Sequence, residues 1–111
     1  MLNDAKKALR VTASAYDGEI MSLLAAGARD LEIAGVRIPG RISWTVNSGT
    51  VNDQSNVRDP LVLRALFTYA RAHFGSPADY ERLKASYDEQ KVQLMHAQDY
   101  TDYGGGGEDE C

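Results

Sequence analysis

A chain of 111 residues and 12.2 kDa has room for one hydrophobic core and no second. Leu, Ile, Val and Phe number only twenty-three, supplemented by fourteen small alanines, and a domain of this size hides only about two-thirds of its unfolded surface, so neighbouring subunits are expected to supply part of the burial. The single cysteine, Cys111, excludes a disulfide framework and a multi-cysteine zinc site, and no apolar run approaches the ~18 residues of a membrane span.

The net charge of −4 is unevenly spread. Residues 1–98 hold all twelve Lys and Arg against eleven acids, a net charge of +1. Residues 99–111 hold five acids and no base, a net charge of −5. The organisation expected is one mainly α domain over residues 1–98, with an acidic, glycine-rich, flexible tail over 99–111. A nearly neutral body lacks the basic face usual in a sequence-reading DNA binder.

The first helix is expected from Asn3, a good N-cap, to Arg10, with Ala5, Ala8 and Leu9 at helical spacing. Val11 to Ala15 reads as a connector. A second helix should open at Asp17, whose carboxylate suits the free N–H groups, and run to Ala34 before Gly35. Ile20, Leu23, Leu24, Gly27, Leu31 and Ala34 share its inner face. The opposite face carries Ser22, Ala25, Ala26 and Arg29, small enough either for a plain solvated side or for close packing against another subunit.

Residues 36–58 lose the helical period and read as a β-hairpin-like arm. Pro39-Gly40 suits a type II turn. Ile42, Trp44 and Val46 alternate with Arg41, Ser43 and Thr45, the period of a half-buried strand. Asn47-Ser48-Gly49 offers a turn, Thr50-Val51 a short return, and Asn52 to Arg58 a polar loop. Trp44 fits core or interface equally well.

The third helix has the plainest boundaries: Asp59 as cap, Pro60 at N1 and Gly75 at the close. Val62, Leu63, Leu66, Phe67, Ala70 and Phe74 form its apolar arc, with Arg64, Thr68 and Arg71 opposite, so it should be the central helix. The fourth is expected to open with Ser76 as cap, Pro77 at N1 and Asp79 near the capping-box position. Tyr80, Leu83, Tyr87, Lys91 and Leu94 then line one stripe, ending about His96. The fold class is therefore a small four-helix bundle with an arm between helices 2 and 3.

Catalytic chemistry finds no constellation to support it. His73 and His96 lack metal-ligand spacing, and His73 reads as a satisfied core-edge histidine. The four-glycine run follows no strand and opens no helix, so it is no phosphate cradle. No enzyme activity, cofactor or metal is expected. Lys6, Lys7 and Arg10 form one basic cluster and Arg58, Arg64 and Arg71 another; solvated faces or sequence-blind contact with DNA both fit them.

Several stretches carry a resemblance. Leu9-Arg10-Val11, Ala15-Tyr16-Asp17-Gly18-Glu19-Ile20 and Asp30-Leu31 are similar to the first two helices of the phage head–tail connector (adaptor, or DNA-packaging protein) family. Asp59-Pro60-Leu61-Val62, Phe67, Tyr69-Ala70 and His73-Phe74-Gly75 resemble its third helix. Tyr80-Glu81-Arg82-Leu83 with Ser86-Tyr87 resembles the fourth, and Tyr100-Thr101-Asp102-Tyr103 its short aromatic ending. The resemblance implies a helical protein that forms a homo-oligomeric ring on the portal protein at the virion head–tail junction. Such a ring extends the DNA channel and offers a platform for a stopper or tail connector, with no membrane involved. The rival expectation is a small helical regulator that binds DNA as a dimer.

Within the connector reading, Ala25, Ala26, Arg29, Ile42, Trp44 and Val46 are the expected subunit interface. Lys6, Lys7 and Arg10 are the candidates to meet channel DNA. Tyr100 and Tyr103, bulky anchors on a polar segment, are expected to dock the tail on the portal.

Overall fold

The computed structural model describes residues 1–75 and 77–106, with side chains described as far as Ala97. Its elements are α1 (Leu2–Leu9), a 3₁₀ turn (Ser14–Tyr16), α2 (Asp17–Ile33), β1 (Trp44–Asn47), β2 (Thr50–Asp53), α3 (Pro60–His73) and α4 (Tyr80–Gly106). The described molecule is mainly helical, with a two-stranded antiparallel hairpin between α2 and α3. Its least extent is 19 Å, the thickness of about two helix layers.

The third helix is central, as its arc requires. It packs against α1, α2 and α4, and Val62, Ala65, Leu66 and Ala70 are wholly buried. Each fully buried Val or Leu contributes about 1.5–3 kcal/mol. Asp59 accepts hydrogen bonds from the Leu61 and Val62 amides, Pro60 takes the first turn, and Gly75 follows with φ 66°. Thr68 departs from the expected solvated side: it is buried, and its hydroxyl donates to the Arg64 carbonyl at 2.9 Å. A threonine in a helix can satisfy its own hydroxyl one turn back, so its polarity does not mark an outer face.

The stripe of α4 docks on α3 as expected, with Leu83, Tyr87 and Leu94 buried and Gln90 buried beside them. The start differs. Pro77 precedes the helix by three residues, the Asp79 carbonyl accepts the first bond from Leu83 N–H, and the Asp79 side chain pairs with Arg82. Ser76, the expected cap, lies outside the described residues. The backbone continues helical past His96 to Gly106, since nothing before Gly104 interrupts it.

Helix α2 spans the expected range. It closes on Gly35 with φ 98°, the Val36 amide reaching back to the Leu31 carbonyl at 2.9 Å while both side chains enter the core. Asp17 does not cap it; the carboxylate instead meets Lys6 Nζ of α1 at 2.8 Å. An ion pair between two half-buried partners outcompetes a local cap that water can replace. Helix α1 likewise begins one residue before the expected cap, so Asn3 lies inside it. The cap comes from Asp53, distant in sequence, which accepts from the Leu2 amide at 2.8 Å.

Candidate assembly interface

The arm is built from its base outward. Gly40 turns the chain with φ 108°, and a Cβ there would stand 2.9 Å from the Asn56 carbonyl oxygen, so the position requires glycine twice over. Arg41 N–H donates to Asn56 Oδ1 at 2.6 Å, and Asn56 N–H returns a bond to the Arg41 carbonyl at 2.9 Å. Ser43 and Ser55 repeat the exchange one step further, with Ser43 N–H on Ser55 Oγ at 3.1 Å.

The regular ladder then pairs Trp44 with Asp53, Thr45 with Asn52, Val46 with Val51 and Asn47 with Thr50. The return strand therefore runs to Asp53, past the Thr50-Val51 expected, and replaces the start of the supposed loop. Ser48 and Gly49 both take positive φ, 51° and 79°, as a two-residue hairpin turn demands. This turn fixes the register, and the register carries pairing through polar residues that have no hydrophobic alternation of their own.

The arm divides the three expected contact residues. Ile42 and Trp44 are half-buried and pack against the core, whereas Val46 at the tip is 58% exposed. On α2, Ser22, Ala26 and Arg29 are exposed, Ala25 is half-buried, and Ile33 is 73% exposed at the end of the same face. Among the described residues Arg29 makes only a long contact, 3.9 Å, to Glu32.

The basic residues of α1 are not equivalent. Lys6 is half-buried and committed to Asp17, while Lys7 and Arg10 are exposed. Arg10 occupies the left-handed C-cap at φ 60°, a conformation that costs a non-glycine residue about 1 kcal/mol. Tyr100 and Tyr103, the expected portal anchors, lie outside the residues whose side chains are described.

A polar clamp joins the helices, and sequence reasoning missed it. Tyr87 Oη donates to Asp30 Oδ2 at 2.6 Å, and Lys91 Nζ reaches the same oxygen at 3.1 Å while sitting 5.3 Å from the Tyr87 ring centre. The Tyr87 hydroxyl above all, with the Lys91 ammonium, holds the Asp30 carboxyl below the usual range despite partial burial. Burial and the Asp30 charge push the Tyr87 phenol up. Tyr69 stacks edge-on against Tyr87 with ring centres 5.2 Å apart and tilts over His73 at 4.3 Å. His73 is thus exposed on an aromatic cluster rather than set at the core edge as expected. The available signal was Lys91 itself: a cation on an otherwise apolar stripe needs a carboxylate on the facing helix.

Among the described residues no His, Cys, Asp and Glu gather in threes, and no helix is long and apolar enough to cross a membrane. No curated protein and no solved structure matches the chain. A family model described as phage connector protein matches residues 1–101, which takes in all four helices to within the last turns of α4 and the whole arm. The chain belongs to the phage connector protein family.

Proposed function

We propose that this protein is a head–tail connector whose copies close into a ring on the portal at the capsid vertex, assembled in the host cytoplasm. The ring extends the DNA channel and presents a platform to the stopper or tail connector that follows. Membership of a structural phage family supports the general role. The observation that carries the finer reading is the arm, ordered from Gly40 to Asn56 by its own hydrogen bonds and ending on an exposed Val46. An arm ordered before contact loses little entropy on binding. A contact between arm and α2 face joins unlike surfaces, and only such head-to-tail contacts close rings of many subunits.

The DNA-binding dimer is less well supported. Helix α3 is the central packing element, in contact with the other three helices, and Lys6 is held by Asp17. Sequence-blind contact with channel DNA would rest on Lys7 and Arg10. Mass measurement of the purified protein, alone and with portal, tests the reading. A ring-sized complex that Val46→Asp prevents supports it; a chain that stays monomeric with portal but binds duplex DNA in a salt-dependent way overturns it.

A further inference from the structure

A recess of about 440 Å³ between α1 and α3 has no part in the reading above. Ala8, Leu63 and Phe67 line it, and Arg64 and Arg71, two turns apart on α3, stand exposed at its rim. What sets these arginines apart is that both border one recess and neither is neutralised among the described residues, the second a state they share with Lys7, Arg10, Arg41 and Arg58. Lys6, Arg29, Arg82, Lys84 and Lys91 each meet a carboxylate. Arg64 and Arg71 meet none among the described residues.

Two guanidinium groups above an apolar floor suit an acidic peptide that carries an aromatic ring. Carboxylates take the forked donors, and the ring covers the floor. A phosphodiester backbone would use the cations and leave the floor wet. The chain carries such a peptide in Asp99-Tyr100-Thr101-Asp102-Tyr103, within a stretch of five acids and no base.

A chain cannot readily fill its own recess. Helices α3 and α4 run antiparallel, so Leu61 and Leu94 border one surface hollow, and Asp59 and Ala97 another. The α4 backbone then continues helical to Gly106, moving away from α3 at about 1.5 Å per residue, while Arg71 lies about 16 Å back along α3.

We propose that the Arg64–Arg71 recess binds the acidic, tyrosine-bearing segment 99–103 of a second copy of this chain, in place of the portal docking expected of Tyr100 and Tyr103. The proposal rests on the ring reading and gives it a second unlike-surface contact beside the arm.

The test uses a labelled peptide of residues 97–111 titrated with the full-length protein at low salt. Saturable binding is expected. The double variant Arg64→Glu with Arg71→Glu should weaken it about tenfold or more. A peptide bearing Asp99→Lys and Asp102→Lys should regain affinity for that variant, a rescue that misfolding could not produce. Undiminished binding by the variant, no saturation with wild type, or failure of the swapped pair to recover would each overturn the proposal. Arginine-dependent binding of duplex DNA that displaces the peptide would do so too. The assay needs neither portal nor closed ring, so its failure and that of the ring reading are separately visible.

Discussion

Asp53 and Leu2, fifty-one positions apart, are joined by a carboxylate accepting a helix-opening amide at 2.8 Å. The same carboxylate lies 3.2 Å from the Met1 amine through Oδ2, and through Oδ1 it accepts the Ser55 amide at 2.9 Å. One side chain therefore ends the return strand, caps α1 and ties the arm to the body.

Asp53→Ala should cost about 1–2 kcal/mol, the range for a lost helix cap. The arm amides of 43–56 should also exchange faster with solvent, because their outer anchor is gone. Urea unfolding and amide exchange measure the two effects. A stable variant with unaltered arm exchange would show the cap to be ornamental.

The pH response follows from two carboxylates. Burial raises the Asp53 carboxyl, but the Leu2 and Ser55 amides outweigh it and leave it lowered; Asp30 is lowered chiefly by Tyr87. With native values below the unfolded value of about 3.9, the unfolded chain binds more protons in the interval between them. Their stabilisation is fully present above pH 5 and is lost as pH falls through the native values. Urea midpoints from pH 6 to 3 should fall at the acid end, and Asp30→Asn with Asp53→Asn should flatten that limb.

Tyr87→Phe removes the donor from Asp30 while keeping the ring. A hydrogen bond to a charged group contributes about 1.5–3 kcal/mol, but Asp30 is 41% exposed and keeps Lys91, so about 1 kcal/mol is expected after solvent screening. A double-mutant cycle with Asp30→Asn should show the two losses to be largely one. Full additivity would place the tyrosine's contribution elsewhere.

Glycine substitutions should split by site. A Cβ at Gly18 meets nothing within 4 Å, so Gly18→Ala should stabilise α2 by up to about 1 kcal/mol. Gly40→Ala meets the Asn56 backbone at a positive φ and should destabilise by about 1–3 kcal/mol. Thermal unfolding of the pair checks both signs.

Along the arm, Trp44→Ala should lower stability by about 1–3 kcal/mol, less than a full core truncation because the ring is only half-buried. Val46→Ser should leave stability within about 0.5 kcal/mol and weaken assembly on the portal. Equal assembly by Val46→Ser and wild type would move the contact off the tip.

Local signals alone determined much of this protein. Asp59-Pro60 and Gly75 bracket α3, Gly35 closes α2, and the 3.6-residue recurrence from Leu83 through Tyr87 to Leu94 names the face that docks. Those features depend on dihedral preference and on residues within a turn or two, which any stretch of chain displays. Three other carboxylates were decided only by tertiary structure. Asp17 left a cap for Lys6, Asp53 left an apparent loop to cap α1, and Asp30 gathered Tyr87 and Lys91 from a helix more than fifty positions away. A carboxylate has several partners of similar strength along its own backbone, and the one it keeps is the one that burial withholds from water.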